Sequence, residues 1–176
     1  ARAVADVLTG VINPSGKLAE TWIEKYEDTS SLHHFAGKKR TVEYREGIYI
    51  GYRYYQKADV TTAFPFGYGL SYTTFKYSDI DVEADSVSFT VTNTGSILGK
   101  EISQLYISAP GKILFTPKRE LKGFAKISLK PGESKRVTIP LDDKAFRYWN
   151  VKTNRWEQEE GVYKISVGRS SEDIVL

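Results

Sequence analysis

The chain has 176 residues and a mass of 19.9 kDa, which suits one large domain or a small domain with part of another. Hydrophobic residues make up 40 %, charged residues 27 % and aromatic residues 13 %, globular proportions that exclude wholesale disorder. The net charge of +3 is too small and too evenly spread for a nucleic-acid footprint: residues 1–78 carry 10 basic and 8 acidic side chains, residues 79–176 carry 15 and 14.

Ala1 to Leu8 reads as a helix already in progress, with Val4, Val7 and Leu8 at helical spacing and no cap before it. Gly10 stands where a C-terminal cap belongs. The chain contains no methionine, and no signal-peptide pattern precedes the helix, so the expectation is the tail of a larger protein. Asn13-Pro14-Ser15-Gly16 is a dense turn signal. Leu18 to Ile23 is predicted as a short strand with Trp22 at least half buried. Residues 24–46 are polar, hold both histidines (His33 and His34) and are predicted as a long loop that packs against or covers something. Lys38-Lys39-Arg40, the longest basic run, reads as part of that solvated loop.

Between Tyr44 and Tyr77 the composition changes: 11 of the 23 aromatic residues fall in 34 positions, interleaved with Gly47, Gly51, Gly67 and Gly69. This texture is too irregular for an amphipathic helix and suits extended segments and tight turns. Its rings serve either as an aromatic seam between two packed units or as a sugar-stacking platform.

Beyond Phe75 the pattern is all-β. Phe75–Val82 supplies one strand, and Ser86–Asn93 alternates strictly with Val87, Phe89 and Val91 on one face. Ile102–Ser108, Leu121–Leu129, Ser134–Leu141, Gly161–Gly168 and Asp173–Leu176 follow at short intervals. Gly123 interrupts its strand and predicts a bulge. Seven short strands in about a hundred residues fit an immunoglobulin-like or fibronectin type III-like β-sandwich, and the absence of cysteine excludes the antibody version.

No residue set announces a reaction. Glu43 and Glu46 flank Tyr44-Arg45, and Asp142, Asp143, Glu157, Glu159 and Glu160 cluster later. Catalytic carboxylate pairs need a fixed separation in space, about 5–5.5 Å in retaining glycosidases, which adjacency in sequence does not provide. These acids read as loop charges, with Glu159-Glu160 on a surface turn. His33 and His34 lack a closed ligand set, so no metal site is predicted. No stretch approaches the roughly 18 uncharged apolar residues of a membrane-spanning helix. No cysteine is present, so disulfides, thiolate metal sites and a cysteine nucleophile are excluded, while the compartment stays open.

Three segments together carry a resemblance: Asn13-Pro-Ser-Gly-Lys-Leu18, Glu46-Gly-Ile-Tyr-Ile-Gly-Tyr-Arg-Tyr-Tyr55 and Phe64-Pro-Phe-Gly-Tyr-Gly-Leu-Ser-Tyr-Thr-Thr-Phe75. With Val91-Thr-Asn-Thr-Gly95, Gly99-Lys-Glu101, Gln104-Leu-Tyr106, Glu120-Leu-Lys-Gly-Phe124, Leu129-Lys-Pro-Gly-Glu-Ser134 and Tyr148-Trp149, they resemble the C-terminal part of family 3 glycoside hydrolases of the β-glucosidase type. The resemblance implies a mainly β fold. Residues 1–77 would be the last helix, last strand and aromatic connecting arm of an (α/β) sandwich domain, and residues 78–176 a fibronectin type III-like module. It implies a retaining two-carboxylate mechanism in the intact enzyme, with an Asp nucleophile on a barrel and a Glu acid/base upstream of this chain. It assigns catalytic, metal and cofactor residues to none of these positions, and leaves substrate-binding residues open. The implied partner is the remainder of the same enzyme, through which alone a β-glycoside would be met; neither nucleic acid nor membrane is expected. Ala19-Glu20 and Ile23 depart from positions where the family favours proline. A rival reading is an independent carbohydrate-binding or adhesive sandwich, which requires exposed rings such as Trp149 and Trp156 on one face.

Overall fold

The computed structural model describes residues 2–32, 34–35, 40–112 and 115–176. It is mainly β, as the sequence predicts. Helix α1 (Arg2–Leu8) ends on Gly10, whose N–H donates to the Val7 carbonyl at 3.0 Å and whose φ of 77° is left-handed. No residue of α1 is buried; Val4 is 63 % and Leu8 76 % exposed, an apolar stripe without a covering element among the described residues.

The predicted strand over 18–23 shortens to β1 (Trp22–Ile23), which pairs antiparallel with β2 (Thr62–Phe64). Leu18 bonds elsewhere: its N–H donates to the Tyr68 carbonyl, and its own carbonyl accepts from Gly67 N–H, both at 2.8 Å. Trp22 is about half buried, at 52 % exposed, with its ring edge against Phe64. Between β1 and the arm, among the described residues, a 3₁₀ turn (Tyr26–Asp28) interrupts the loop.

The expectation of no helix in the aromatic arm is corrected. Tyr52–Lys57 forms a short helix, α2, with Tyr52 and Tyr55 buried. Those two rings stand three residues apart, hence on one helix face, and Tyr52 meets Tyr106 of the sandwich. Six residues are too few to hold a helix by propensity; tertiary docking of that face does it.

Six strands make the sandwich. One sheet has the order β3 (Phe75–Val82), β4 (Ser86–Asn93), β7 (Ser134–Pro140), and the other the order β10 (Lys164–Gly168), β5 (Gly99–Ser108), β6 (Glu120–Leu129), all antiparallel. In β4, burial alternates along its whole length, so one face is core and the other solvent. Phe75, Tyr77, Val87, Phe89, Val91, Val137 and Ile139 of the first sheet meet Leu105, Ile107, Leu129 and Val167 of the second in one core. The predicted bulge is present: Leu105 pairs with Gly123 but Tyr106 with Leu121, leaving Lys122 extra. A side chain at Gly123 would place its Cβ 2.4 Å from Ile139 Cγ2.

Two readings of the tail need correction. Asp173–Leu176 makes a single bridge, Gly168 to Ile174, supported by Val167 N–H to Leu176 O at 2.9 Å, rather than a full strand. The sequence reading also lacks a hairpin, β8 (Arg147–Asn150) with β9 (Arg155–Gln158). Its Trp149–Trp156 pair is cross-strand, edge-to-face at 5.8 Å, and Glu157 on the opposite face accepts from Tyr148, Asn150 and Thr153. The hairpin's polar composition hid it, because paired indoles and local side-chain bonds stabilise it instead of an apolar strand face.

Candidate functional site

Strand β5 carries the site that links the arm to the sandwich. Its residues Ser103 to Ile107 are all buried, unlike an ordinary strand with one wet face. Leu105 and Ile107 face the core, while Gln104 and Tyr106 face outward and are covered by the arm. Tyr52 stacks on Phe66 at 4.9 Å and meets Tyr106 edge-on at 6.1 Å. The Tyr52 hydroxyl also accepts from Leu121 N–H at 2.8 Å, so α2 is pinned to β6 as well as β5.

Beneath these rings Gln104, 3 % exposed, has its amide fully engaged. Nε2 donates to the carbonyls of Gly67 (3.1 Å) and Arg169 (2.8 Å), and Oε1 accepts from the Tyr106 hydroxyl (2.5 Å). Gly67 lies so close that a Cβ there would stand 2.0 Å from Gln104 Oε1, and its φ is +81°. This explains the glycine of the Phe-Gly-Tyr-Gly run by contact as well as by backbone angle. Burial raises the Tyr106 hydroxyl pKa above its ordinary value, so it remains a donor.

A second knot joins the Asn13–Leu18 turn to the sandwich. Asn13 Oδ1 accepts from Ser71 Oγ (3.1 Å) and Tyr72 N–H (2.9 Å), and its Nδ2 donates to the Leu98 carbonyl (3.0 Å). Lys17 Nζ lies 3.4 Å from Glu101 Oε1, with both side chains nearly buried, at 13 % and 5 %. The same Oε1 accepts from the Tyr77 hydroxyl at 3.0 Å, and Ser103 Oγ donates to that hydroxyl at 3.2 Å. Burial first, then the Glu101 charge, pushes the Tyr77 pKa far up, which keeps its proton on the bond. A nearly buried ion pair, joined by the Tyr77 hydroxyl, favours one register of arm on sandwich.

The acids singled out in the sequence are held apart. Glu43 pairs with Arg45. Glu46 accepts from Ser30 Oγ at 2.5 Å beside a cavity of about 390 Å³ whose walls include His34, Arg45, Lys57 and Phe115; it is the one carboxylate among the described wall residues. Asp142 accepts from Lys144 N–H at 2.9 Å, and Asp143 pairs with Arg147 at 3.4 Å. Glu160 is exposed, but the surface reading of Glu159 is corrected. That side chain is 3 % exposed and accepts from Lys112 N–H, because the 110–112 loop folds over it. His33 and Lys38-Lys39 lie outside the described residues, and among the described residues no three potential ligands converge on a metal position. Trp149 and Trp156 are about half exposed, at 48 % and 44 %, with Lys144 Nζ 5.3 Å above the Trp156 ring.

Sequence reasoning missed Glu101, Gln104 and Lys17 as a set. Lys17 sits in the Asn-Pro-Ser-Gly-Lys-Leu motif, and Gln104 is a polar residue inside a β run, but Lys17 meets Glu101 across 84 residues and Gln104 meets Gly67 and Arg169 across 37 and 65, separations that periodicity does not report.

Residues 1–72 match the glycosyl hydrolase family 3 C-terminal domain, and residues 101–171 match the fibronectin type III-like domain. The thermostable beta-glucosidase B of Acetivibrio thermocellus is 48 % identical over 99 % of this chain, which spans 24 % of that protein. The exo-alpha-(1->6)-L-arabinopyranosidase of Bifidobacterium breve is 47 % identical over 98 % of this chain and 23 % of its own length. The crystal structure of a Bifidobacterium adolescentis GH3 beta-glucosidase superposes with a TM-score of 0.94 at 42 % identity, covering 99 % of this chain and 27 % of that one. The chain thus spans about a quarter of the length of the curated relatives it matches. The chain matches the C-terminal part of the family 3 glycoside hydrolases: the family's C-terminal domain followed by a fibronectin type III-like module.

Proposed function

We propose that this chain acts as the bracing C-terminal part of a β-glucosidase-type enzyme that hydrolyses terminal β-linked glycosyl residues with retention. The observation that carries the reading is the match of both parts of the chain, in order, to these enzymes, together with the buried polar knots that lock one part on the other. Its partner is the remainder of the enzyme, and the exposed stripe of Val4 and Leu8 on α1 is the surface that meets it. Substrate is met only through the intact enzyme, and neither nucleic acid nor membrane takes part.

The chain itself supplies no nucleophile, no acid/base, no metal ligand and no cofactor contact. Retaining chemistry requires two opposed carboxylates, one of them with a raised pKa. The isolated position of Glu46 supports placing that pair elsewhere. The two units are residues 1–77 and 78–176. Limited proteolysis should therefore leave a resistant core beginning between about 70 and 85, within the usual error of a boundary read from sequence. A core that begins near residue 1 and yields no smaller product contradicts two units.

The functional test has two arms. The purified chain should leave an aryl β-glucoside intact, and the full-length parent should cleave it with retention at the anomeric carbon. Turnover by the chain that disappears on Glu46→Gln would place the active site here. An inverting parent would refute the mechanism.

A further inference from the structure

The loop over residues 24–46, expected to pack against or cover something, borders the cavity of about 390 Å³ beside Glu46. It contributes His34 and Glu46 to the wall, α2 contributes Tyr54 and Lys57, and the connection between β5 and β6 contributes Phe115. Two contacts tie these walls together. The Tyr49 hydroxyl donates to the Phe115 carbonyl at 2.6 Å with the two ring centroids 5.4 Å apart, and Lys57 Nζ stands 4.0 Å over the Phe115 ring. Phe115 is nevertheless 71 % exposed, so apolar ring surface stays open inside a polar rim.

Several polar groups of this wall are unpartnered and open. Neither the Tyr54 hydroxyl nor the His34 ring has a hydrogen-bond partner among the described residues, and Glu46 commits only Oε1, to Ser30. None of these is among the polar atoms sealed from solvent without a partner, which are Thr21 Oγ1, Gln56 Oε1, Arg119 Nη1 and Ser171 Oγ. A ligand is thus offered a carboxylate acceptor, a phenol that donates or accepts, and an imidazole with one nitrogen of each kind. The charges select its class. A cation meets Lys57, which already stands over one face of Phe115, and an anion meets Glu46. A neutral ring bearing hydroxyls escapes both: its C–H face rests on an aromatic ring, and its hydroxyls donate to the carboxylate and exchange bonds with Tyr54 and His34. The volume lies within the roughly 300–1,000 Å³ of small-molecule sites. We infer that this cavity binds a neutral polyhydroxylated ring of monosaccharide size, stacked on Phe115 and bonded by Glu46, Tyr54 and His34. The inference goes beyond the bracing role and does not depend on where catalysis occurs.

The test is an amide-resolved NMR titration of the 176-residue chain with D-glucose, with glycerol, sodium sulfate and tetramethylammonium chloride as parallel arms. The expected result is saturable shifts in the millimolar range with glucose at the Glu46, Tyr49, Ala58 and Phe115 backbone amides, and weaker or no saturation in the other arms. Tyr54→Phe removes only an unpartnered hydroxyl, so it should leave the urea midpoint of the free chain unchanged and weaken glucose about 3- to 10-fold, the loss of one hydrogen bond. Phe115→Leu keeps an apolar side chain and the carbonyl that holds Tyr49, and should weaken glucose by a similar factor, about 3- to 10-fold, through loss of the ring face. No saturable shift at these amides with glucose overturns the proposal. Sulfate, tetramethylammonium or glycerol saturating the site at a lower concentration than glucose would overturn the ligand class, and undiminished glucose binding by both variants would overturn the site.

Discussion

Replacing Gly67 by alanine tests the knot around Gln104. The new Cβ would stand 2.0 Å from Oε1 and 2.6 Å from Nε2 of Gln104, and the backbone there has φ +81°. A non-glycine residue in that region costs about 1–2 kcal/mol. Relief of the clash expels the Gln104 amide, breaking its bonds to Gly67 O, Arg169 O and the Tyr106 hydroxyl. At about 1 kcal/mol each, two or three lost bonds add roughly 2–3 kcal/mol. The total is about 3–5 kcal/mol, or a fall in Tm of roughly 6–20 °C for a chain of this size. Gly132 is the control, with φ +73° and nothing within 4 Å of its would-be Cβ. Gly132→Ala should pay only the backbone cost of about 1–2 kcal/mol. Urea unfolding followed by tryptophan fluorescence and by circular dichroism measures both. Equal losses in the two variants would refute the claim that contact with Gln104, rather than backbone angle alone, fixes glycine at position 67.

Phe89, fully buried between the sheets, should cost about 3–5 kcal/mol when cut to alanine, read as a shift in the urea midpoint. Lys17→Met strands the Glu101 charge and should cost about 3 kcal/mol, of which Lys17→Met with Glu101→Gln recovers a part in the same assay. The bonds from Thr153 and Asn150 lower the Glu157 pKa, so the folded carboxylate titrates below the unfolded one. Its contribution is therefore present above the ordinary carboxylate range and lost as pH falls through the depressed folded value. Glu157→Gln should accordingly lower the urea midpoint at pH 7 and differ little from the parent chain near pH 2.

Strands were legible where one face is core and the other solvent. The alternation of Val87, Phe89 and Val91 predicts β4 to the residue, and Gly123 predicts the bulge. Legibility failed where burial comes from elsewhere. Helix α2 forms because its buried face, through Tyr52, docks on the sandwich, a tertiary cause invisible to local pattern. The 147–158 hairpin rests on an indole pair and on Glu157, and Glu159 is covered by a loop remote in sequence. The motifs around Asn13 and Gly67 are distinctive as strings of residues. Their physical reason, Asn13 bonding Leu98 and Gly67 pressed on Gln104, appears only when the arm is laid on β5.

The most direct test of the bracing role is reconstitution of glycosidase activity from two pieces. The upstream remainder of the parent enzyme is assayed on an aryl β-glucoside alone, with this 176-residue chain, and with the chain carrying Val4→Asp and Leu8→Asp. A charge on each exposed apolar position of α1 should block docking without touching the sandwich core. The account predicts little or no turnover by either piece alone, recovery on mixing with the native chain, and none with the double variant. Full activity of the remainder alone, or equal recovery with the double variant, would contradict it.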